Sequence, residues 1–86
     1  MARIIQTRYI PATDTRPELI SAYFLDSTKK IFTAPFPRTF DGNAAHRNVA
    51  QELLEIQAGW PESKAALSVG VAESHEVIDG YIFIVR

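Results

Sequence analysis

With 86 residues, the chain has room for one domain with a thin core. A composition of 47 % hydrophobic and 22 % charged residues excludes disorder, and the absence of cysteine excludes a disulfide framework and a thiolate metal site. The net charge of −1 hides an asymmetry. Residues 1–47 hold seven basic side chains against four acidic ones, giving +3, whereas residues 48–86 hold two basic against six acidic, giving −4. Such a dipole can orient a partner or a second copy of the chain, but it falls short of the basic excess of an avid nucleic-acid binder.

A small domain without disulfides fits a reducing cytoplasm. Met1 to Ile10 carries Arg3 and Arg8 and never reaches a seven-residue apolar run, so it does not read as a signal peptide. The longest apolar stretch, Tyr81 to Val85, is too short to cross a bilayer. The expectation is a cytoplasmic protein without membrane contact.

In chain order, Arg3 to Ile10 is rich in β-branched and aromatic residues and stops at Pro11, which predicts a strand. Pro11 to Pro17 brackets short hydroxyl and carboxylate side chains between two prolines and reads as a turn or loop. Leu19 to Leu25 and Ile31 to Phe36 predict two strands of an antiparallel hairpin, with Asp26-Ser27-Thr28-Lys29 as its turn. Pro35 and Pro37 lack backbone donors and place the end of that third strand at a sheet edge.

A helix follows over Asn43 to Ala58. Asp41 or Asn43 can cap it, and Val49, Ala50, Leu53, Leu54 and Ile56 recur at helical spacing. Arg47, Gln51, Glu52, Glu55 and Gln57 lie off that stripe. Gly59 supplies the left-handed position at the end, Trp60 can fold back onto Leu54, and Pro61 stops the helix. Ala65, Leu67, Val69 and Val71 alternate with Ala66, Ser68 and Gly70 and predict a half-buried fourth strand. Glu73 to Gly80 reads as a polar turn, and Gly80 to Arg86 as a last strand apolar on both faces. The predicted architecture is α+β in two layers, one helix on a mostly antiparallel five-stranded sheet, in the order β-β-β-α-β-β within a single domain, residues 1–86.

The opening Thr7-Arg8-Tyr9-Ile10-Pro11-Ala12-Thr13-Asp14-Thr15-Arg16-Pro17 resembles that of a group of short bacterial proteins carried on phages, plasmids and genomic islands, whose hallmark is Thr-Arg-Tyr-Leu-x-x-Thr-Asn-Thr-Arg-Gly. The resemblance continues through Ile20 and Ala22, Pro35-Phe36, His46 with Ala50 and Leu53, Gly59-Trp60 and Gly80-Tyr81-Ile82-Phe83. Pro17 stands where the group has Gly, and Ser21 where it tends to have Lys. The resemblance supplies no activity. It implies a mobile-element setting, in which small proteins block or redirect host machinery.

No catalytic motif stands out. His46 and His75 lack the spacing of a zinc site and read as a packing residue and a solvated one. Thr13, Thr15, Ser27 and Ser74 sit in no nucleophile elbow, Glu52 and Glu55 read as a solvated helix face, and the glycines form no phosphate-binding loop, so no enzyme activity, metal or cofactor is expected.

The candidate contact surface is Arg8, Thr13, Asp14, Thr15 and Arg16 with Lys29, Lys30 and Arg38. Its two arginines can serve as bidentate donors to a carboxylate or phosphate. The plainer reading of Thr13 to Arg16 is a hydrogen-bonded loop that locks strand one to strand two. The first functional expectation is a protein-binding module, an inhibitor of a host complex of anti-restriction or anti-CRISPR type. It would use the edge of strand one or three, and homodimerisation through the same edge is a milder version. The alternative is nucleic-acid binding through the basic half, adding Arg47, with Tyr9, Tyr23 or Phe36 as stacking platforms. Ile4, Ile10, Ile82 and Ile84 are candidates for a sheet face left open.

Overall fold

The computed structural model describes residues 3–37 and 42–85, without the side chains of 27–30. The predicted cap Asp41 lies outside these residues. Five strands and two helices follow in the order β1 (Arg3–Ile10), β2 (Leu19–Phe24), β3 (Ser27–Pro35), α1 (Gly42–Ile56), α2 (Glu62–Gly70), β4 (Glu73–Val77) and β5 (Gly80–Val85). The strands form one antiparallel sheet in the spatial order β3-β2-β1-β5-β4.

The first strand is therefore central, and the last pairs with it. Ile5 lies opposite Phe24 on one side and Phe83 on the other, and Thr7 lies between Ala22 and Tyr81. These positions share the face that the helices cover. Ile5, Thr7, Ile20, Ala22 and Phe83 are all fully buried there, beneath Val49, Leu53 and Leu54 of α1. Each large apolar side chain in that layer contributes roughly 1.5–3 kcal/mol by leaving water.

The helix α1 forms as its stripe predicts. Ala45, His46, Val49, Ala50, Leu53 and Leu54 are its buried residues, spaced along one face. Asn43 sits inside the helix and does not cap it. Gly59 adopts φ 69°, and the Trp60 N–H donates to the Leu54 carbonyl at 3.1 Å, so the chain folds back as expected.

The next element corrects the sequence reading. Residues 65 to 71 were expected to be a strand, but Glu62–Gly70 is a second helix. Glu62, Lys64, Ala65, Ala66 and Leu67 are strong helix formers, and the apolar alternation coincides with an i, i+4 pair. Only Ala65 and Val69 of this helix are buried, while Leu67 is 69 % exposed. Pro61 starts α2, its carbonyl accepting the Ala65 N–H at 2.9 Å.

The fourth strand is instead the polar stretch Glu73–Val77, read from sequence as a turn. It carries no hydrophobic alternation because it is an edge strand, held by backbone pairing to β5. Asp79, at φ 65°, closes that hairpin in a conformation Asp tolerates better than most residues. The β2–β3 connection is also tighter than expected, with Leu25-Asp26 between the two strands. The sheet is thus covered by two helices rather than one, and β1 offers no edge for strand addition.

The guanidinium of Arg47 joins the two helices to β4. Its Nε donates to Asn43 Oδ1 at 2.6 Å, Nη1 to the Val69 carbonyl, and Nη2 to the Ala72 carbonyl at 3.1 Å and Ser74 Oγ at 3.2 Å. The plane also stands 5.3 Å from the Phe83 ring. A cation at the carboxyl end of α2 gives a second donor to the Val69 carbonyl, which also accepts the Ala72 N–H at 3.2 Å, and complements the helix dipole.

Two predictions follow from this packing. A Cβ on Gly80 would sit 1.9 Å from the Thr7 carbonyl oxygen, so Gly80→Ala should cost on the order of 3 kcal/mol, read as a lower urea midpoint at unchanged slope. Arg47→Met should cost about 3 kcal/mol in the same measurement, because carbonyls of Val69 and Ala72 lose a charged donor.

Candidate functional site

The turn that sequence singled out is a hydrogen-bonded hairpin tip. Thr13 N–H donates to the Arg16 carbonyl at 2.8 Å, and Arg16 N–H returns to Thr13 at 3.3 Å. The Thr13 hydroxyl accepts from the Thr15 N–H at 3.4 Å, and Arg16 Nη2 reaches the Pro11 carbonyl at 3.4 Å. All four side chains from Thr13 to Arg16 are exposed. Their polar groups are engaged mainly with one another and with the local backbone, which is the structural reading of the segment.

Among the described residues the basic side chains do not converge. Arg3 stacks over Phe24, with its guanidinium carbon 3.7 Å from the ring centroid. Arg47 is half-buried with its guanidinium engaged by Asn43, Val69, Ala72 and Ser74, so it is not a free cation of the kind the nucleic-acid alternative counted on. Lys29 and Lys30 belong to β3, but their side chains lie outside the described residues, as does the whole of Arg38. Tyr9 and Phe36 are not free stacking platforms. Their rings meet edge to face at 5.9 Å, and the Tyr9 hydroxyl donates to Glu18 Oε2. That hydrogen bond, followed by desolvation and the charge of Glu18, holds the phenol above its usual pKa.

His46 is buried against the sheet. Its Nδ1 lies 2.7 Å from Thr7 Oγ1, and its ring meets Tyr81 edge to face at 4.9 Å. The Thr7 hydroxyl also accepts from the Tyr81 N–H at 3.3 Å and lies 3.3 Å from the Tyr81 carbonyl. The hydroxyl has a single proton, which goes either to the imidazole or to that carbonyl. The surroundings are otherwise apolar, and burial lowers the pKa of His46 below its ordinary 6.5. His75 is exposed on β4, with its Nε2 2.8 Å from Glu73 Oε1. Among the described residues no group of three or more His, Cys, Asp or Glu side chains could hold a metal ion. No described helix is long and apolar enough to cross a membrane.

What remains is the sheet face turned away from the helices. Strand alternation puts Ile4, Gln6, Arg8 and Ile10 of β1 on it, opposite Ile84 and Ile82 of β5 and Tyr23, Ser21 and Leu19 of β2. Ile4 is 40 % exposed and Ile31 of β3 56 %. The four isoleucines expected on an open face therefore occupy it, and Ile31 joins them.

A groove of about 540 Å³ runs across this face over β1, β2 and β3, lined by Arg8, Ile10, Pro11, Ser21, Ile31 and Thr33 with part of Tyr9. Arg8, Ser21 and Thr33 form one row across the three strands. Of the described residues predicted to make contact, Arg8 alone lines the groove; Thr13, Asp14, Thr15 and Arg16 do not. Sequence reasoning missed Ser21, Ile31 and Thr33, because only the register across β2 and β3 brings them beside Arg8.

The chain matches no family model, no curated protein and no solved structure. The class that the geometry defines is an α+β fold whose five-stranded sheet, among the described residues, has one face covered by helices and the other not.

The buried imidazole sets a pH dependence. His46 holds a proton more readily in the unfolded chain than in the fold, so folding favours its neutral form. Stability should be full above pH 6.5 and fall as pH drops from there toward the lowered folded value. Urea midpoints between pH 7.5 and 5 should show this decline, and His46→Gln should flatten it.

Proposed function

We propose that this protein is a non-enzymatic protein-binding module whose partner docks on the uncovered face of the sheet. The observation that supports it is the set of apolar side chains there. Ile4, Ile10, Leu19, Ile31, Ile82 and Ile84 face away from the core on strands whose other side is fully packed. Contiguous exposed apolar surface rimmed by polar groups marks interaction sites in proteins of this size.

A protein fits this face better than a nucleic acid does. Phosphate binding needs several cations aligned along a backbone. Among the described residues Arg8 is the one arginine on the open face, while Arg3, Arg16 and Arg47 have partners within the fold. Together with the resemblance of the opening segment to proteins of phages, plasmids and genomic islands, this supports a mobile-element protein that inhibits or redirects a host complex, of anti-restriction or anti-CRISPR type, in the cytoplasm. The basic and acidic halves would orient its approach.

A tagged pull-down from bacterial lysate, with and without nuclease, tests this reading. One protein complex should be recovered in both lanes and persist from ~50 to ~200 mM salt, a range over which phosphate-driven binding falls steeply. The double substitution Ile4→Asp with Ile31→Asp should reduce recovery about tenfold with little change in Tm, since both side chains are exposed. Recovery that vanishes with nuclease would overturn the reading in favour of nucleic acid.

A further inference from the structure

The groove on the open face has a chemical pattern of its own. Its middle row runs from Arg8 on β1 through Ser21 on β2 to Thr33 on β3, one cation and two hydroxyls abreast. On one side of this row stand Ile10 and Pro11, and on the other Ile31. Along a strand, positions that share a face recur about every 6.8 Å. Along the diagonal from Ile10 on β1 through the Ser21 position of β2 to Ile31 on β3 the groove therefore reads apolar, polar, apolar, each step one strand across and two residues along, about 8 Å.

Arg8 is exposed, and among the described residues its guanidinium has no hydrogen-bond or ion-pair partner. It contrasts with Arg3, Arg16 and Arg47, each of which the fold engages. A guanidinium with Ile10 beside it, Gln6 on its other side and Ile31 across the groove is a good match for a carboxylate delivered on a partly apolar surface, where partial desolvation strengthens the pair.

We propose that the groove binds an extended segment of a partner protein that presents an apolar, an acidic and an apolar side chain at alternate positions, with the carboxylate on Arg8. This rests on the protein-binding reading and names its chemistry. An extended segment laid face to face and crossing the strands at about 35° follows this diagonal, close to the roughly 30° of aligned sheet packing, and its alternate side chains, about 6.8 Å apart, come near the steps beneath it. The carboxylate receives two N–H donors from Arg8, and the exposed Thr33 offers its hydroxyl in the same row to a neighbouring polar group, with Ser21 buried between them. A phosphate-bearing strand offers the charge without the flanking apolar groups and leaves Ile10 and Ile31 uncovered.

The probe is the peptide acetyl-Ile-Thr-Asp-Thr-Ile-amide, titrated into isotope-labelled full chain and followed by amide chemical shifts. The shifts should cluster at Arg8, Ile10, Ser21, Ile31 and Thr33. Replacing Asp by Asn in the peptide, or making Arg8→Gln in the protein, should each weaken binding about tenfold, the worth of one charge-assisted pair. The Arg8→Gln spectrum should otherwise be unchanged, since its side chain engages nothing in the fold.

Equal binding of the Asp and Asn peptides on the same residues would overturn the carboxylate assignment while leaving a partner on this face. Shifts elsewhere, or none at the peptide's solubility limit, would overturn the groove as the site. The protein-binding reading falls separately, if the lysate partner disappears with nuclease or is indifferent to Ile4→Asp with Ile31→Asp.

Discussion

Everything else in the fold depends on the pairing of β1 with β5. Without it the chain would be a three-stranded meander and a detached hairpin, neither with enough apolar surface to hold two helices. The pairing demands that two backbones approach at Gly80, where even a methyl group would meet the Thr7 carbonyl oxygen. It also places Thr7 where its hydroxyl serves β5 through the backbone of Tyr81 and α1 through His46. One buried hydroxyl thus links the middle of the sheet, its neighbouring strand and the helix above.

Arg47 performs the matching task on the far side of the core. The second helix is short and buries little, so its attachment relies on polar contacts at its end more than on apolar area. A guanidinium can serve the Val69 and Ala72 carbonyls, Ser74 and Asn43 at once because its donors are fixed in a plane. The cost of partly removing that charge from water is offset by four acceptors.

The elements legible in the sequence were those whose apolar period agrees with their burial. The first three strands, α1 with its Gly59 turn, and β5 all satisfy that condition, and the isoleucines of the open face followed from strand alternation once β1 was placed. The segment from Ala65 to Val71 misled because alternation at two residues and recurrence at four coincide over so short a span, and only burial of Ala65 and Val69 without Leu67 separates them. The strand β4 was invisible because an edge strand with Glu73, His75 and Glu76 owes its existence to its neighbour rather than to its own side chains. The candidate site was half legible. Arg8 could be named from its type, but the row it forms with Ser21 and Thr33 depends on strand register, and the role of Arg47 depends on where a second helix ends.

A molecule with an uncovered sheet face and two free strand edges invites polymerisation, and the two borders of this sheet are closed by different chemistry. The β4 border is short, and its glutamates would confront like charges in a second copy aligned with it. The β3 border is longer, but it ends on Pro35, whose nitrogen has no hydrogen to donate to an incoming strand. Growth of the sheet into a fibre is thereby opposed at one end by repulsion and at the other by a missing donor. The open face can then stay apolar without committing the protein to self-assembly.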